Sequence, residues 1–278
     1  VSDLSPPLDR LRDRRTVIGA PLCLGIDPRA ETLPEGLPRD AQGIETFARG
    51  LIEAASDEVV AVKLNTAYFE VYGSAGWAAL ERVRGDIPDG PIVVLDAKRG
   101  DIGPSAERYA EALLGRLNAD AVTLHSYLGE DAIEPFLAFP GRMAYVLART
   151  SNPSAGRLQD LPTGEGPLSM AVARWVAERW PDGRVGLVVG ATDSAELRAL
   201  RDAVPGPGFL VPGVGAQGGD QAAAVRCCDG STAPGLVNVS RGIAEAASGP
   251  DWVAAARASA RRWRDDFREV GATLETTS

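Results

Sequence analysis

Short apolar runs rich in valine, isoleucine and leucine alternate along this chain with longer stretches in which apolar positions return every three or four residues. The short runs predict strands and the longer ones amphipathic helices. Eight strands are predicted, at 21–27 (PLCLGID), 59–65 (VVAVKLN), 91–98 (PIVVLDAK), 121–127 (AVTLHSY), 143–150 (MAYVLART), 185–191 (VGLVVGA), 208–216 (GFLVPGVGA) and 235–242 (GLVNVSRG). Between them GIETFARGLIEAA, SAERYAEALLGRL, MAVARWVAERW and DSAELRALRDAV carry the helical period, and Gly103-Pro104 marks a helix start. Eight strand-then-helix units fit a closed (β/α)8 TIM barrel, an α/β fold with an N-terminal helix, better than an open sheet. No linker divides the chain, so residues 1–278 read as a single barrel domain.

Parity within the strands separates the two faces. In VVAVKLN, Val60, Val62 and Leu64 share the face that meets helices, while Val59, Ala61, Lys63 and Asn65 share the other. In the third strand Val93 and Leu95 oppose Ile92, Val94, Asp96 and Lys98. The first sets Leu22, Leu24 and Ile26 against Cys23, Gly25 and Asp27. Polar inward residues therefore gather at strand C-terminal ends, the face on which barrels of this kind place their chemistry.

Composition narrows the class. Hydrophobic residues at 45% and charged ones at 24% exclude a disordered chain, and a net charge of −9 argues against a general nucleic-acid binder. Three cysteines, Cys23, Cys227 and Cys228, lack CxxC spacing, which points to reduced thiols and a cytoplasmic protein. The basic and apolar stretch 12–26 superficially matches a signal peptide, but it holds Pro21 and runs into Asp27-Pro28-Arg29, so it reads as leading into a strand. No run approaches the length of a membrane span. Residues 152–167 read as an irregular, mobile lid over the barrel mouth, and the tail from Gly271 reads as frayed.

The candidate chemistry lies in two places. Lys63, Asp96, Lys98 and Asp101 form a row of alternating ammonium and carboxylate groups, each keeping its neighbours ionised, suited to stabilising a carbanion and then protonating it. A lone Asp-x-Lys is more often a structural ion pair, and Lys63 on the neighbouring strand weakens that reading. In the loops after strands seven and eight, Gly213, Gly215, Gly218 and Gly219 allow backbone N–H groups to approach an anion, and Arg241 adds a fixed charge. This is a frequent phosphate position in barrels.

LDAKRGDIGPSA (95–106), with LGIDPR (24–29), VKLNTAYFE (62–70), RTSNP (149–153), VPGVGAQGGD (211–220) and SRGI (240–243), resembles in order and spacing the orotidine 5′-phosphate decarboxylases of the longer bacterial subfamily, type 2. The resemblance spans roughly residues 20–245. It implies decarboxylation of orotidine 5′-phosphate to uridine 5′-phosphate in pyrimidine synthesis, with no metal and no organic cofactor. It assigns Asp27 and Lys63 to the ribose hydroxyls and places Lys63, Asp96 and Lys98 in a charged tetrad, with Lys98 protonating C6. Asp101 completes the tetrad from the other subunit of a homodimer, Ser151 holds the pyrimidine, and Gln217 and Arg241 bind phosphate. Two departures stand out: Ser105 replaces the family's usual threonine, keeping the hydroxyl among the substrate contacts, and His125-Ser126 replaces Asn-Pro. His125, the only histidine, is expected to play a structural part beside the site.

Three rivals remain at this level. A Mg2+-dependent sugar-phosphate decarboxylase or aldolase can carry the same Asp-x-Lys-x-x-Asp, a Schiff-base aldolase would use Lys63 or Lys98, and a non-catalytic nucleotide-binding relative would keep the glycine loops and Arg241 alone. The expected partners are a small nucleotide and a second copy of the chain, with neither nucleic acid nor membrane.

Overall fold

In the computed structural model, which describes residues 5–215 and 218–275, eight parallel strands close into one barrel. They are β1 (Leu22–Ile26), β2 (Ala61–Asn65), β3 (Ile92–Arg99), β4 (Ala121–His125), β5 (Met143–Arg149), β6 (Val185–Val189), β7 (Phe209–Val211) and β8 (Leu236–Val239). Each pairs with its neighbours in sequence, and β1 pairs with β8 to complete the cylinder. β7 is shorter than predicted because Pro212 brings no N–H and Gly213 turns the chain at φ +99°. β8 likewise ends early, since Arg241 opens a short helix, Arg241–Ala244.

The flanking helices start where the sequence offers acidic caps. Asp40 accepts the N–H groups of Gln42 and Gly43 at the head of Ala41–Ala55, and Asp193 accepts those of Ala195 and Glu196 at the head of Ser194–Ala203. Each cap is worth about 1 kcal/mol. The stretch 152–167 departs from the expected irregular lid: it contains the helix Gly156–Gln159 and a small hairpin of Pro162–Thr163 and Gly166–Pro167. Its own polar groups tie it to β5, with Arg149 Nη1 2.6 Å from Asp160 Oδ1 and the Thr150 N–H donating to Gln159 Oε1 at 2.9 Å.

The chain's ends also fold onto the barrel. The basic stretch expected to lead into a strand splits at Gly19, whose left-handed conformation (φ +67°) ends the helix Pro7–Ile18. This helix covers the N-terminal ends of the strands. Arg10 reaches Asp120 ahead of β4, Arg12 donates to the Thr232 carbonyl ahead of β8, and Arg14 donates to the Ser56 and Val59 carbonyls ahead of β2. The tail expected to fray instead belongs to the helix Trp252–Glu275, anchored by fully buried Phe267 and by Arg268 Nε donating to the Ile18 carbonyl at 2.7 Å. Residues 276–278 lie outside the described residues. From this helix Trp263 lies against Gly215 and Gly242, where an added Cβ would stand 3.2 and 2.8 Å from its ring, and Ser259 Oγ donates to the Gly242 carbonyl at 2.9 Å. The loops after β7 and β8 therefore rest on the C-terminal helix.

The two barrel ends have separable roles, and Asp120 tests the lower one. Its carboxylate, 3% exposed, pairs with Arg10 at 2.7 Å and accepts the Val93 N–H at 2.9 Å, joining β3, β4 and the N-terminal helix. Asp120→Ala leaves a partly buried guanidinium and a buried N–H without their acceptor, and is expected to destabilise the protein by about 3 kcal/mol. Urea unfolding should show the loss as a lower midpoint at unchanged slope, with the substrate KM unaltered.

Candidate active site

The residues predicted to carry chemistry converge at the opposite end. Register places Gly25 beside Lys63 and Asn65 beside Asp96, so inward side chains of β1, β2 and β3 meet at two successive levels. Lys63 Nζ donates to Asp96 Oδ2 at 2.7 Å and lies 3.7 Å from Asp27 Oδ1. Lys98 Nζ donates to the other Asp96 oxygen, Oδ1, at 2.5 Å. Asp27, Lys63, Asp96 and Lys98 thus form a continuous row of alternating charge. Lys63 is only 4% exposed in its side chain, whereas that of Lys98 is 50% exposed.

Simple strand parity does not account for Lys98. Four steps along β3, Leu95 to Arg99, match two steps along β4, Val122 to Leu124, so the end of β3 bulges. Lys98 there has φ +43°, in the left-handed region that disfavours a residue with a Cβ. The side chain consequently rises from the rim and bends back toward Asp96.

Burial and charge compete in this row, and charge wins. Burial alone would raise the Asp96 carboxyl, but Lys63 and Lys98 hold it well below the usual carboxylate range. Burial alone would lower Lys63, but Asp27 and Asp96 push it above the ordinary lysine value. The stabilisation from ionised Asp96 is therefore complete above its unfolded value of about 3.9 and disappears as pH falls through the lower folded value. That from Lys63 is complete below about 10.4 and disappears as pH rises through the higher folded value. Beneath the row, burial pushes the Cys23 thiol up to about 12 despite nearby Lys63, so it stays neutral.

A cleft of about 130 Å³ opens over Asp27, Lys63 and Asp96, lined also by Gly213, Arg241, Asn65, Asn238 and Ser240. Other expected residues fall outside it, Lys98 among them, which stands half-exposed at the rim and reaches the row through Asp96. Gly215 and Gly218 shape the adjoining turn, closed by the Gly218 N–H on the Gly215 carbonyl at 2.8 Å, and Gln217 lies outside the described residues. Ser151 lines a neighbouring pocket with Thr150, Asn152 and Gly190. Asp101 turns back to accept the Ile102 N–H at 2.8 Å, and Ser105 is exposed on the helix Gly103–Ala110. His125 packs on the backbone of Gly100, where an added Cβ would stand 2.0 Å from Nε2, and its Nδ1 is buried without a hydrogen-bond partner among the described residues.

A family model described as "Orotidine 5'-phosphate decarboxylase / HUMPS family" matches residues 20–258. The chain belongs to this family. It is 50% identical over 247 residues to the orotidine 5′-phosphate decarboxylase of Roseiflexus castenholzii, covering 88% of this chain and 90% of that one. It is 48% identical to the enzyme of that name from Thermomicrobium roseum over 259 residues, 90% of each chain. Its fold matches the solved OMP decarboxylase of Leishmania donovani with a TM-score of 0.83 at 35% identity, covering 96% of this chain and 98% of that structure. Among the described residues no helix is long and apolar enough to cross a membrane.

The structure adds four residues to this member of the decarboxylase family that the sequence reading left without a role: Asn65, Thr123, Asn238 and Ser240. Asn65, Asn238 and Ser240 sit at or beside strand C-terminal ends and Thr123 midway along β4, and parity already put Asn65 with Lys63. In NVSR (238–241), polar Asn238 and Ser240 alternate with Val239, a pattern that could have flagged them. Gly25 makes their position possible, since a Cβ there would stand 1.9 Å from Ser240 Oγ and 2.7 Å from Asn238 Oδ1. The ionisation of the row is directly measurable. A 13C NMR titration of the side-chain carboxylates should find Asp96 still ionised at about pH 3.5, where ordinary aspartates near ~3.9 are mostly protonated. An Asp96 midpoint near 4 would contradict the double pairing with Lys63 and Lys98.

Proposed function

We propose that this chain converts orotidine 5′-phosphate to uridine 5′-phosphate and CO2, supplying pyrimidine nucleotide synthesis. The observation that carries the reading is the row Asp27, Lys63, Asp96 and Lys98, whose first three members line a cleft together with Arg241. The names of the relatives support the same activity.

In this reading the C6–carboxylate bond breaks with its electron pair left on C6. The resulting carbanion has little delocalisation, so a preorganised cation beside C6 is the largest available help. Lys98 supplies that cation and then gives its proton to C6, and solvent restores the ammonium. Asp96, ionised and held by two lysines, faces the substrate carboxylate. Asp27 and Lys63 take the ribose hydroxyls, Ser105 adds a further hydroxyl contact to the substrate, Ser151 holds the base, and Gln217 and Arg241 hold the phosphate with Gly213, Gly215 and Gly218. Phosphate binding far from C6 contributes to the transition state when it fixes the base against Lys98. Both carboxylates of the cleft, Asp27 and Asp96, already face Lys63, which leaves a divalent cation poorly served.

The second subunit enters through Asp101. It follows the bulge on a loop whose neighbour Ile102 is 56% exposed, and Val71 and Tyr127, in the loops after β2 and β4, are exposed as well. Apolar residues exposed on three adjacent loops suit a subunit contact. In the proposed two-fold homodimer, Asp101 reaches the partner's row.

Loss of orotidine 5′-phosphate absorbance should be seen with the purified protein and be unaffected by EDTA. Lys98→Ala should abolish it while the barrel remains folded by circular dichroism. Turnover that requires Mg2+ would favour the sugar-phosphate rival, and wild-type turnover in Lys98→Ala would remove Lys98 from its role.

The dimer is tested by complementation. Lys98→Ala and Asp101→Ala homodimers should each be inactive. A mixed dimer holds one intact site and one site with both defects. Refolding the two together at equal amounts makes about half the dimers mixed, so roughly a quarter of wild-type activity should return under the two-fold model. Activity at baseline with mixed dimers present would confine Asp101 to its own chain.

A further inference from the structure

Thr123 belongs to none of the assigned substrate contacts, yet its hydroxyl joins the two residues at the centre of the row. It is 1% exposed, on the inward face of β4 beside the bulge of β3. Its Oγ1 donates to Asp96 Oδ1 at 2.9 Å and accepts the Lys98 backbone N–H at 3.0 Å. The amide can only donate and the ionised carboxylate can only accept, so the single hydroxyl proton must point at Asp96 and a lone pair at Lys98. Both orientations are satisfied at once.

Two further observations give this contact its importance. Lys98 adopts φ +43°, a conformation a non-glycine residue keeps only where its surroundings hold it. Its N–H lies at the bulge, where the ladder between β3 and β4 shifts register. The second concerns Asp96 Oδ1, which also receives Lys98 Nζ at 2.5 Å. Thr123 therefore holds the lysine from its backbone and the carboxylate that its ammonium addresses.

We propose that Thr123 is a positioning residue for the decarboxylation: its hydroxyl fixes the left-handed backbone of Lys98 and the rotamer of Asp96, and so sets where the Lys98 ammonium stands relative to the reacting carbon. This rests on the proposed function above. Thr123 touches neither phosphate nor ribose in this scheme, so its loss should fall on the chemical step and not on binding.

Thr123→Val keeps the volume and removes both hydrogen bonds. It is expected to lower kcat by about tenfold to hundredfold, the scale of a misplacement of about 1 Å, with KM and the affinity for uridine 5′-phosphate within about threefold of wild type. Thr123→Ser, which restores the hydroxyl, should recover kcat to within about threefold. If the valine variant does not fold, Thr123→Ala is measured in its place with the same expectation. An unchanged kcat, a loss confined to KM, or a serine variant no better than valine would each overturn the proposal. A crystal structure of the valine or alanine variant separates this result from the assignment of the reaction. Lys98 is expected to leave the left-handed region and its ammonium to leave Asp96 Oδ1. Retention of both would overturn the positioning role even if the wild-type protein proved to act on another substrate.

Discussion

Asp96 receives an ammonium on each carboxylate oxygen, Lys63 on Oδ2 and Lys98 on Oδ1, and the rest of the site is arranged around that double pairing. A buried lysine or aspartate alone would shed its charge. Together, with Asp27 on the far side of Lys63, they remain ionised in the barrel interior. The pairing requires β2 beside β3, which places Asn65 and Asp96 at one level with Lys63 on the same inward face. It also requires β3 to stop being a regular strand after Asp96, because only the bulge lets Lys98 stand half-exposed at the rim and still reach back. Thr123 on β4 secures that irregularity. One salt-bridged row thus engages four consecutive strands of the barrel, from Asp27 just beyond β1 to Thr123 on β4.

The barrel separates this chemistry from the contacts that hold it closed. At the N-terminal ends of the strands, a helix carrying Arg10, Arg12 and Arg14 donates to Asp120 and to the carbonyls of loops ahead of β2 and β8. These contacts satisfy backbone groups and one buried carboxylate, and none of them reaches the cleft. At the C-terminal ends, space is made where polar groups must approach: Gly25 leaves room for Asn238 and Ser240, and Gly215 and Gly242 leave room for Trp263. The C-terminal helix, through Trp263 and Ser259, gives the loops after β7 and β8 a solid backing. In the proposed function these loops present N–H groups to phosphate, and such support suits glycine-rich segments that carry little side-chain packing of their own.

The sequence by itself determined the barrel, its strand count and most of the charged row. Period-two and period-3.6 patterns are local properties, and eight alternations leave few ways to bury so many apolar faces. Parity aimed Lys63 and Asp96 inward, and LDAKRGDIGPSA was specific enough to carry the family. The acidic caps at Asp40 and Asp193 are equally local, although they emerged only with the structure. What failed in the local reading failed for identifiable reasons. The tail from Gly271 reads as frayed because the helix it ends is held by buried Phe267 and by Arg268 donating to the Ile18 carbonyl, a contact no local pattern reveals. The segment 152–167 reads as irregular because its order comes from Arg149 pairing with Asp160 and from Gln159 accepting the Thr150 N–H, contacts between a strand end and the loop that follows it. Only the tertiary structure could decide the bulge at Lys98, since a left-handed lysine contradicts its own propensity and is held by a threonine twenty-five residues further on. Local preference settles which elements form, and contacts between distant residues settle where the chain departs from that preference.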